Sequence, residues 1–438
     1  MIGRSFQKLW LKIKSSPDGK PRVSAFDGDE SNLHAPQSED ARKEVAGLMA
    51  ATCNIMNAQT NDNSSGVVFD ALTASYILSL PETRVDKDIF SEIRMKMEDD
   101  STFSTLNERL DKYYVSRNSG KALLSVLFPE DFYYNKGETN IREGILISGV
   151  LDKSNIGASP GSGSIIQALY KDYGAKRTVV FLSEIYFLGR IFMNVHGFSV
   201  GIDDCFLTGD DPEKTIEYEV QKAKMLVKSM GVKLQDPLEE ERREKQIRGF
   251  LETAKNFGTK ISKENLTKDN SFNIMAKSGA KGSVVNIAQI TGILGQQFLY
   301  GERMPESLSG GNRSSPYFAQ GDVDPEARGF IINSYLTGLR PSELFFALAG
   351  GRVGLVDTST STQTTGAVHH EITKALEDLK VVEDGSVRNS SGLIYQLTYG
   401  DDGFNASNLE RVKTNTGTFT SFINLKRVTG RINSKYGF

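Results

Sequence analysis

The stretch from residue 341 to about residue 379 constrains this chain more than any other. It opens PSELFFALAGGRVGLVD, passes through TSTSTQTTG and closes AVHHEITKALEDL. Pro341 suits a first helical position, where its missing N–H costs nothing, and Glu343 complements the positive helix end. Phe345, Leu348, Leu355, Ile372 and Leu376 supply apolar contacts at the two ends. As one helix, roughly 39 residues at about 1.5 Å each reach on the order of 58 Å, enough to cross a domain-sized cleft. The centre resists that reading. Gly350, Gly351, Gly354 and Gly366 each cost up to about 1 kcal/mol against Ala, and Ser or Thr fills most of 358–365. Local propensity favours two helices joined by a Ser/Thr loop. The alternative is one bridging helix, held at both ends, whose centre bends.

Length and charge bound the function loosely. A chain of 438 residues is ample for several cores. A net charge of −3 argues against a free-standing nucleic-acid binder, so nucleic-acid contact must come from local patches or partner chains. Cys53 and Cys205 form no CxxC pair, which indicates neither a disulfide framework nor a zinc knuckle. No apolar run is expected to reach transmembrane length and residues 1–14 lack a secretory apolar core, so the expected setting is intracellular, soluble and without a membrane partner.

Asp27 and Asp29 form the first chemical landmark. Two apart, in an extended segment both carboxylates point the same way, and Gly28 between them allows a tight backbone. Hard oxygen donors at that spacing suit Mg²⁺, which commonly takes one or two carboxylates and leaves other positions to water and phosphate. An acidic surface turn fits the same three residues.

Further along, Leu48, Ala51, Ile55 and Met56 are expected on one helical face, and SGVVFDALTASYIL carries a buried-looking apolar series. GASPGSGS has no GK[ST] after it and KSGAKGS fails the same test, so neither is a P-loop; the first reads as a turn before the helix SIIQALYKDYG. FLSEIYFLGRIFMNVHGFSVGIDDC reads as a helix ending at a Gly turn, with His196 at its terminus, then a short strand. Asp210 or Asp211 is expected to cap a helix from Pro212 to about Ser229. A second runs from Pro237 to about Phe257, and the two charged helices make an antiparallel hairpin. GGNRSSPYFAQGD is a loop by composition. His369 and His370 diverge by about 100° on a helix and cannot share one metal.

Several of these segments together resemble the largest subunit of multisubunit DNA-directed RNA polymerases, in flavour nearest the versions from large DNA viruses, archaea and eukaryotes. The bridge-helix region of that family runs GF-x-x-NSY-x-x-GL-x-P-x-E-FF, then GGR-x-GL-x-DT, then a Thr and a TG. Gly329, Phe330, Asn333, Ser334, Tyr335, Gly338, Leu339, Pro341, Glu343, Phe345 and Phe346 match its first part. Gly350, Gly351, Arg352, Gly354, Leu355, Asp357, Thr358, Thr362, Thr365 and Gly366 match the rest. FDGDE with N-x-H-x-PQS-x-x-AR-x-EV is similar to the family's metal loop. There, Asn-Ala-Asp precedes the motif and three aspartates share one Mg²⁺. Here Val23-Ser24-Ala25, or Ser24-Ala25 with one residue deleted, stands in that place, leaving Asp27 and Asp29. Ser361 stands where a lysine is usual. The resemblance covers about residues 25 to 404, and the last 34 residues match nothing in it.

The resemblance implies an α+β, predominantly helical chain. Residues 1–47 are expected to close a partial double-psi barrel carrying the metal loop, 48–209 to form a pore region, and 210–336 a funnel hairpin and connector. Residues 337–380 then form the bridge helix and 381–438 start the following cleft region. It implies nucleotidyl transfer: DNA-templated RNA synthesis with Mg²⁺ on Asp27 and Asp29. Thr362, Gln363, Thr365 and Gly366 would face the template from the bridge, and Lys153 would line the pore that admits nucleotides. The implied partners are the second-largest subunit, chains supplying the missing barrel half, clamp and trigger loop, and DNA, RNA and nucleoside triphosphates. The setting would be cytoplasm or nucleus, possible also for a viral enzyme. The alternative is a degenerate, non-catalytic scaffold or truncated fragment derived from such a subunit.

Overall fold

The computed structural model describes residues 34–57, 61–96, 101–158, 160–161, 163–208, 211–414 and 417–436. Residues 1–33, with Asp27, Asp29 and most of the expected barrel end, lie outside these. The chain divides into two compact units, Met1–Phe198 with Lys277–Lys281 and Gly403–Phe438, and Ser199–Ala276 with Gly282–Asp402. Both combine helices with small antiparallel sheets, an α+β fold in which helix dominates.

In the first unit the apolar series folds as the helix Phe69–Ser79, with Ala71, Leu72, Ala74, Ile77 and Leu78 all buried. A helix apolar on nearly every side needs neighbours on every side. One of them is the helix Ile165–His196. The two approach closely because Gly189 has no side chain: a Cβ there would stand 3.1 Å from Ala71 Cα. The turn expected at 157–164 lies partly outside the described residues; Ser164 caps the helix by accepting Gln167 N–H at 3.0 Å. Gly174, at φ 78°, breaks it into two segments, and Gly197, at φ 68°, ends it after His196. This helix corrects the expectation that no apolar run reaches transmembrane length, since its length and composition suffice. Its apolar residues Phe181, Ile185, Leu188 and Phe192 are instead buried in the unit. Phe181 and Phe132 each pack on Phe128, with ring centroids 5.4 and 5.3 Å apart.

Strands Tyr134–Lys136, Thr139–Arg142 and Ile145–Ser148 form a meander. Buried Asn155 ties it to the following loop, donating to Thr139 Oγ1, Val150 O and Asp152 Oδ1 at 3.0–3.2 Å. The C-terminal helix Leu425–Tyr436 docks through charge. Arg427 pairs with Asp172 and, at 2.8 Å, with Glu410, while Arg431 reaches Asp131 at 2.5 Å. The expected shared face of Leu48, Ala51, Ile55 and Met56 does not form. The helix Glu39–Glu44 widens into the π-turn Val45–Met49, which carries Leu48 out to 67% exposure. Ala51, Ile55 and Met56 are buried beyond the helix end.

The second unit is built on the expected hairpin, Pro212–Ser229 against Pro237–Glu264. Ile216, Val220, Ala223 and Val227 recur at helical spacing and bury against Ile247, Leu251 and Ala254. Asp211 occupies the cap position, yet its carboxylate makes no cap bond and pairs with Lys214 at 2.5 Å. The second helix runs past Phe257 because Gly258 packs tightly on Ile293, where a Cβ would meet Cγ2 at 2.5 Å. Tertiary contact there outweighs the weak helix propensity of glycine. The strand expected after Gly197 is absent. Asp204 accepts Gly201 N–H at 2.9 Å and Ser271 N–H at 3.0 Å, which folds Ile202–Cys205 into a 3₁₀ turn. Residues 310–322 lie among turns, as their composition suggests. Ile394–Gln396 pairs antiparallel with Val387–Arg388. Both cysteines are free.

Candidate functional site

The stretch that begins PSELFFALAGG is a single helix, Pro341–Leu376, of 36 residues. The two-helix alternative is thereby set aside, and the end falls three residues short of 379. Its N-terminus is anchored by one buried carboxylate. Glu343 accepts Arg340 N–H and Asn333 Nδ2–H at 2.8 Å each, and Ile332 N–H at 3.3 Å. Phe346 seals the anchor beside Leu294, Met304 and Ile331. After Phe346 no residue of the helix is buried.

In the Ser/Thr centre the hydroxyls bond back to the helix's own backbone. Thr358 donates to Gly354 O at 2.8 Å, Thr362 to Ser359 O at 2.8 Å and Thr365 to Ser361 O at 2.7 Å. Such back-bonding satisfies the hydroxyls without neighbours, at the cost of a helix that bends readily. Thr362, Thr365 and Gly366 stand three and four apart and share a face, with Gln363 about 100° round. All of these are exposed. So are His369 and His370.

Lys153 lies in the other unit, exposed, at the start of the short helix Lys153–Ile156. Asp152 caps that helix, accepting Ser154 N–H at 3.0 Å. The loop Lys277–Lys281 crosses Lys153: a Cβ at Gly279, whose φ is 75°, would stand 2.6 Å from Lys153 Cβ. That contact brings a second exposed lysine into the unit, Lys281, whose Nζ lies 5.3 Å from the Phe69 ring centroid. Sequence reading passed over Lys281 because KSGAKGS lacks the P-loop spacing; the left-handed glycine was the available signal. Two ammonium groups on a flexible stem each suit phosphate as point charges. Asp27 and Asp29 lie outside the described residues. Among the described residues no three His, Cys, Asp or Glu side chains converge as a metal site.

Three family descriptions match in chain order. Residues 54–205 match RNA polymerase Rpb1, domain 3, residues 219–331 match domain 4, and residues 338–434 match domain 5. The third match takes in most of the residues after 404 that the sequence alone left unplaced. A probable DNA-directed RNA polymerase II subunit RPB1 homolog of Invertebrate iridescent virus 6 is 32% identical, over 95% of this chain and 43% of its own length. DNA-directed RNA polymerase subunit Rpo1N of Halobacterium salinarum is 32% identical, over 87% of this chain and 40% of its own. DNA-directed RNA polymerase III subunit rpc1 of Schizosaccharomyces pombe is 31% identical, over 89% and 30%. The chain thus spans less than half the length of these relatives. With its three consecutive domains and its long exposed helix, it belongs to the family of RNA polymerase largest subunits and corresponds to their central region.

Proposed function

We propose that this chain serves in DNA-templated RNA synthesis, as the central segment of the largest subunit of a multi-chain polymerase. The observation that carries the proposal is the uninterrupted helix Pro341–Leu376, anchored at one end and solvent-exposed along the stretch that bears the family motif. A helix exposed over that length is suited to cross a cleft and meet other chains or nucleic acid. In this reading Thr362, Thr365 and Gly366, with Gln363 beside them, face the template. Gly366 leaves open space, with nothing within 4 Å of where a Cβ would sit. Lys153, with Lys281, attracts the triphosphate of an incoming nucleotide. Asp27 and Asp29 hold Mg²⁺, for which two hard carboxylate donors are the right chemistry. Bound there, Mg²⁺ would activate the attacking hydroxyl and neutralise charge on the leaving phosphate.

The regional assignments follow the same reading: barrel end with metal loop at 1–47, pore at 48–209, funnel at 210–336, bridge at 337–380 and cleft at 381–438. The partners are a second-largest subunit and the chains or segments that complete barrel, clamp and trigger loop. The test is reconstitution with those partners, followed by template-dependent RNA synthesis and Mn²⁺ titration. The complex should synthesise RNA, and Asp29→Ala should abolish both synthesis and tight metal binding. Ala25→Asp, or insertion of Asp between Ala25 and Phe26, should strengthen metal binding by supplying a third carboxylate. A complex that assembles on nucleic acid yet makes no RNA at any metal concentration would refute this reading in favour of a non-catalytic scaffold.

A further inference from the structure

Two arginines of the second unit meet on one carboxylate, and a third joins them at a cavity. Glu244 accepts Arg303 Nε and Nη2 at 2.8 Å each, and Arg328 Nη1 at 2.8 Å. Arg328 Nε donates to Met304 O at 3.1 Å. Arg243 donates through Nε to Glu240 at 3.1 Å. The side chains of Arg303 and Arg243 keep only 3% and 9% exposure. Together with Lys233, Glu306 and Asp322 they line a cavity of about 260 Å³.

A donor count separates this cavity from an ordinary ion-pair cluster. Each guanidinium carries N–H groups on three nitrogens. After the bonds above, both Nη of Arg243, Nη1 of Arg303 and Nη2 of Arg328 have no partner among the described residues. These nitrogens are not sealed from solvent, so a ligand can replace water at them. The acids do not meet them: one Asp322 oxygen already accepts Asp324 N–H at 2.9 Å, and Glu306 is half-buried without a bond to any of the arginines. The charges around the cavity balance formally, Lys233, Arg243, Arg303 and Arg328 against Glu240, Glu244, Glu306 and Asp322, so anion affinity rests on the unpaired Nη donors. Burial pushes the Glu244 carboxyl up, but the bond and charge of Arg303, then the charges of Arg328 and Arg243, hold it down to about 2. Burial and the neighbouring Arg303 push the Arg328 guanidinium down, against the pull of Glu244, Glu306 and Glu240.

We propose that this cavity is an oxyanion site, in which Arg243, with the spare Nη groups of Arg303 and Arg328, grips a phosphoryl group. Planar guanidinium forks match phosphate oxygens pairwise. The volume lies below the roughly 300 Å³ at which drug-sized sites begin, so the site takes a free phosphate or the phosphate end of a nucleotide. Lys233 at the rim adds attraction and Glu306 opposes it. The site stands independently of any role in RNA synthesis.

The test uses the full chain and isothermal titration at fixed ionic strength, with inorganic phosphate, ATP and adenosine as probes. Phosphate should bind saturably and adenosine should not. Arg243→Met, checked for an unchanged circular dichroism spectrum, should weaken phosphate binding by about tenfold or more, the worth of one charge-assisted bond. Glu306→Gln should tighten it several-fold, and decides the matter if Arg243→Met fails to fold. ATP binding well above phosphate would assign the site to nucleotides; equal affinity would assign it to free phosphate. Absence of saturable binding by both, or affinity unmoved by both Arg243→Met and Glu306→Gln, would overturn the proposal.

Discussion

Two long helices of the second unit reach stability by opposite routes. The 28-residue helix Pro237–Glu264 puts Ile247, Leu251 and Ala254 into a seam with its hairpin partner. The 36-residue helix Pro341–Leu376 buries only Glu343 and Phe346, and leaves Leu348, Leu355 and Ile372 at 62%, 73% and 53% exposure. The first is held by packing along its length; the second is held at its start, and its centre carries hydroxyls bonded back to its own carbonyls. Among the described residues, the exposed apolar side chains of the long helix add no packing to support its poor propensity. The difference teaches that tertiary anchoring and local sequence contribute separately, and substitutions can separate them.

The largest expected effect lies at the hairpin's ionic centre. Glu244→Ala leaves Arg303 and Arg328 buried with no shared carboxylate, which should cost about 3–5 kcal/mol of unfolding free energy. Because the folded carboxyl sits at about 2, below its ordinary value, its contribution is present above the ordinary carboxylate range. It fades as pH falls through that range toward 2. Urea titrations from pH 7 to pH 3 should therefore show wild type losing stability that Glu244→Ala never had. Parallel curves for the two proteins would mean the carboxylate is not held by its arginines.

A matched pair of apolar truncations tests the comparison itself. Leu251→Ala, at 1% exposure, should cost about 2–5 kcal/mol by opening a cavity in the seam. Leu355→Ala on the long helix should move the stability of the isolated chain by less than about 0.5 kcal/mol. In an assembled complex the same Leu355→Ala should weaken association, measured by subunit titration. Equal effects of the two in the isolated chain would show that the long helix is packed after all.

What the sequence made legible follows the same division. The hairpin was readable because Pro212 and Pro237 mark first turns and a short loop joins two charged helices, while its apolar seam of Ile216, Val220, Ala223 and Val227 was not singled out. The end of its second helix was not readable, because contact between Gly258 and Ile293 overrode propensity. Leu48 was misplaced because a π-turn leaves no periodic trace. The continuity of Pro341–Leu376 contradicted its composition; only resemblance to a family favoured one helix, since hydroxyl back-bonding does not show in apolar spacing. Of the proposed site, Lys153 and positions 362, 363, 365 and 366 were singled out through resemblance alone, whereas Lys281 required the fold to bring a distant loop across Lys153. The arginine cavity was illegible, because Arg243, Arg303 and Arg328 share no motif and meet only in three dimensions.

The anchors of the two helices should differ by less than their cores. Glu343→Ala strips an acceptor from Arg340 N–H, Asn333 and Ile332 N–H, all close to a buried site, and should cost about 1–3 kcal/mol. Asp236→Ala removes one exposed cap bond to Leu238 N–H and should cost about 0.5–2 kcal/mol. Thermal melts of both variants decide it; a smaller loss for Glu343→Ala would mean that Phe346 alone holds the long helix.

The smallest expected effect is at the centre of the long helix. Thr360 donates to Val356 O at 3.0 Å and Thr364 to Thr360 O at 3.4 Å, each bond drawing a carbonyl away from its own ladder. Thr360→Ala with Thr364→Ala removes both and adds helix propensity, together up to about 1 kcal/mol. Because the segment is exposed and far from any core, the gain should appear locally: amide exchange across 356–366 should slow while the global melting temperature stays nearly constant. Thr253 makes the same kind of bond, to Gly249 O at 2.8 Å, on the packed hairpin helix. There Thr253→Ala should leave exchange unchanged, since neighbouring contacts already set the opening free energy. Equal protection changes at both places would show that packing does not distinguish the two helices. Slower exchange confined to 356–366, with altered elongation in an assembled complex, would tie the bending of that centre to the helix's work.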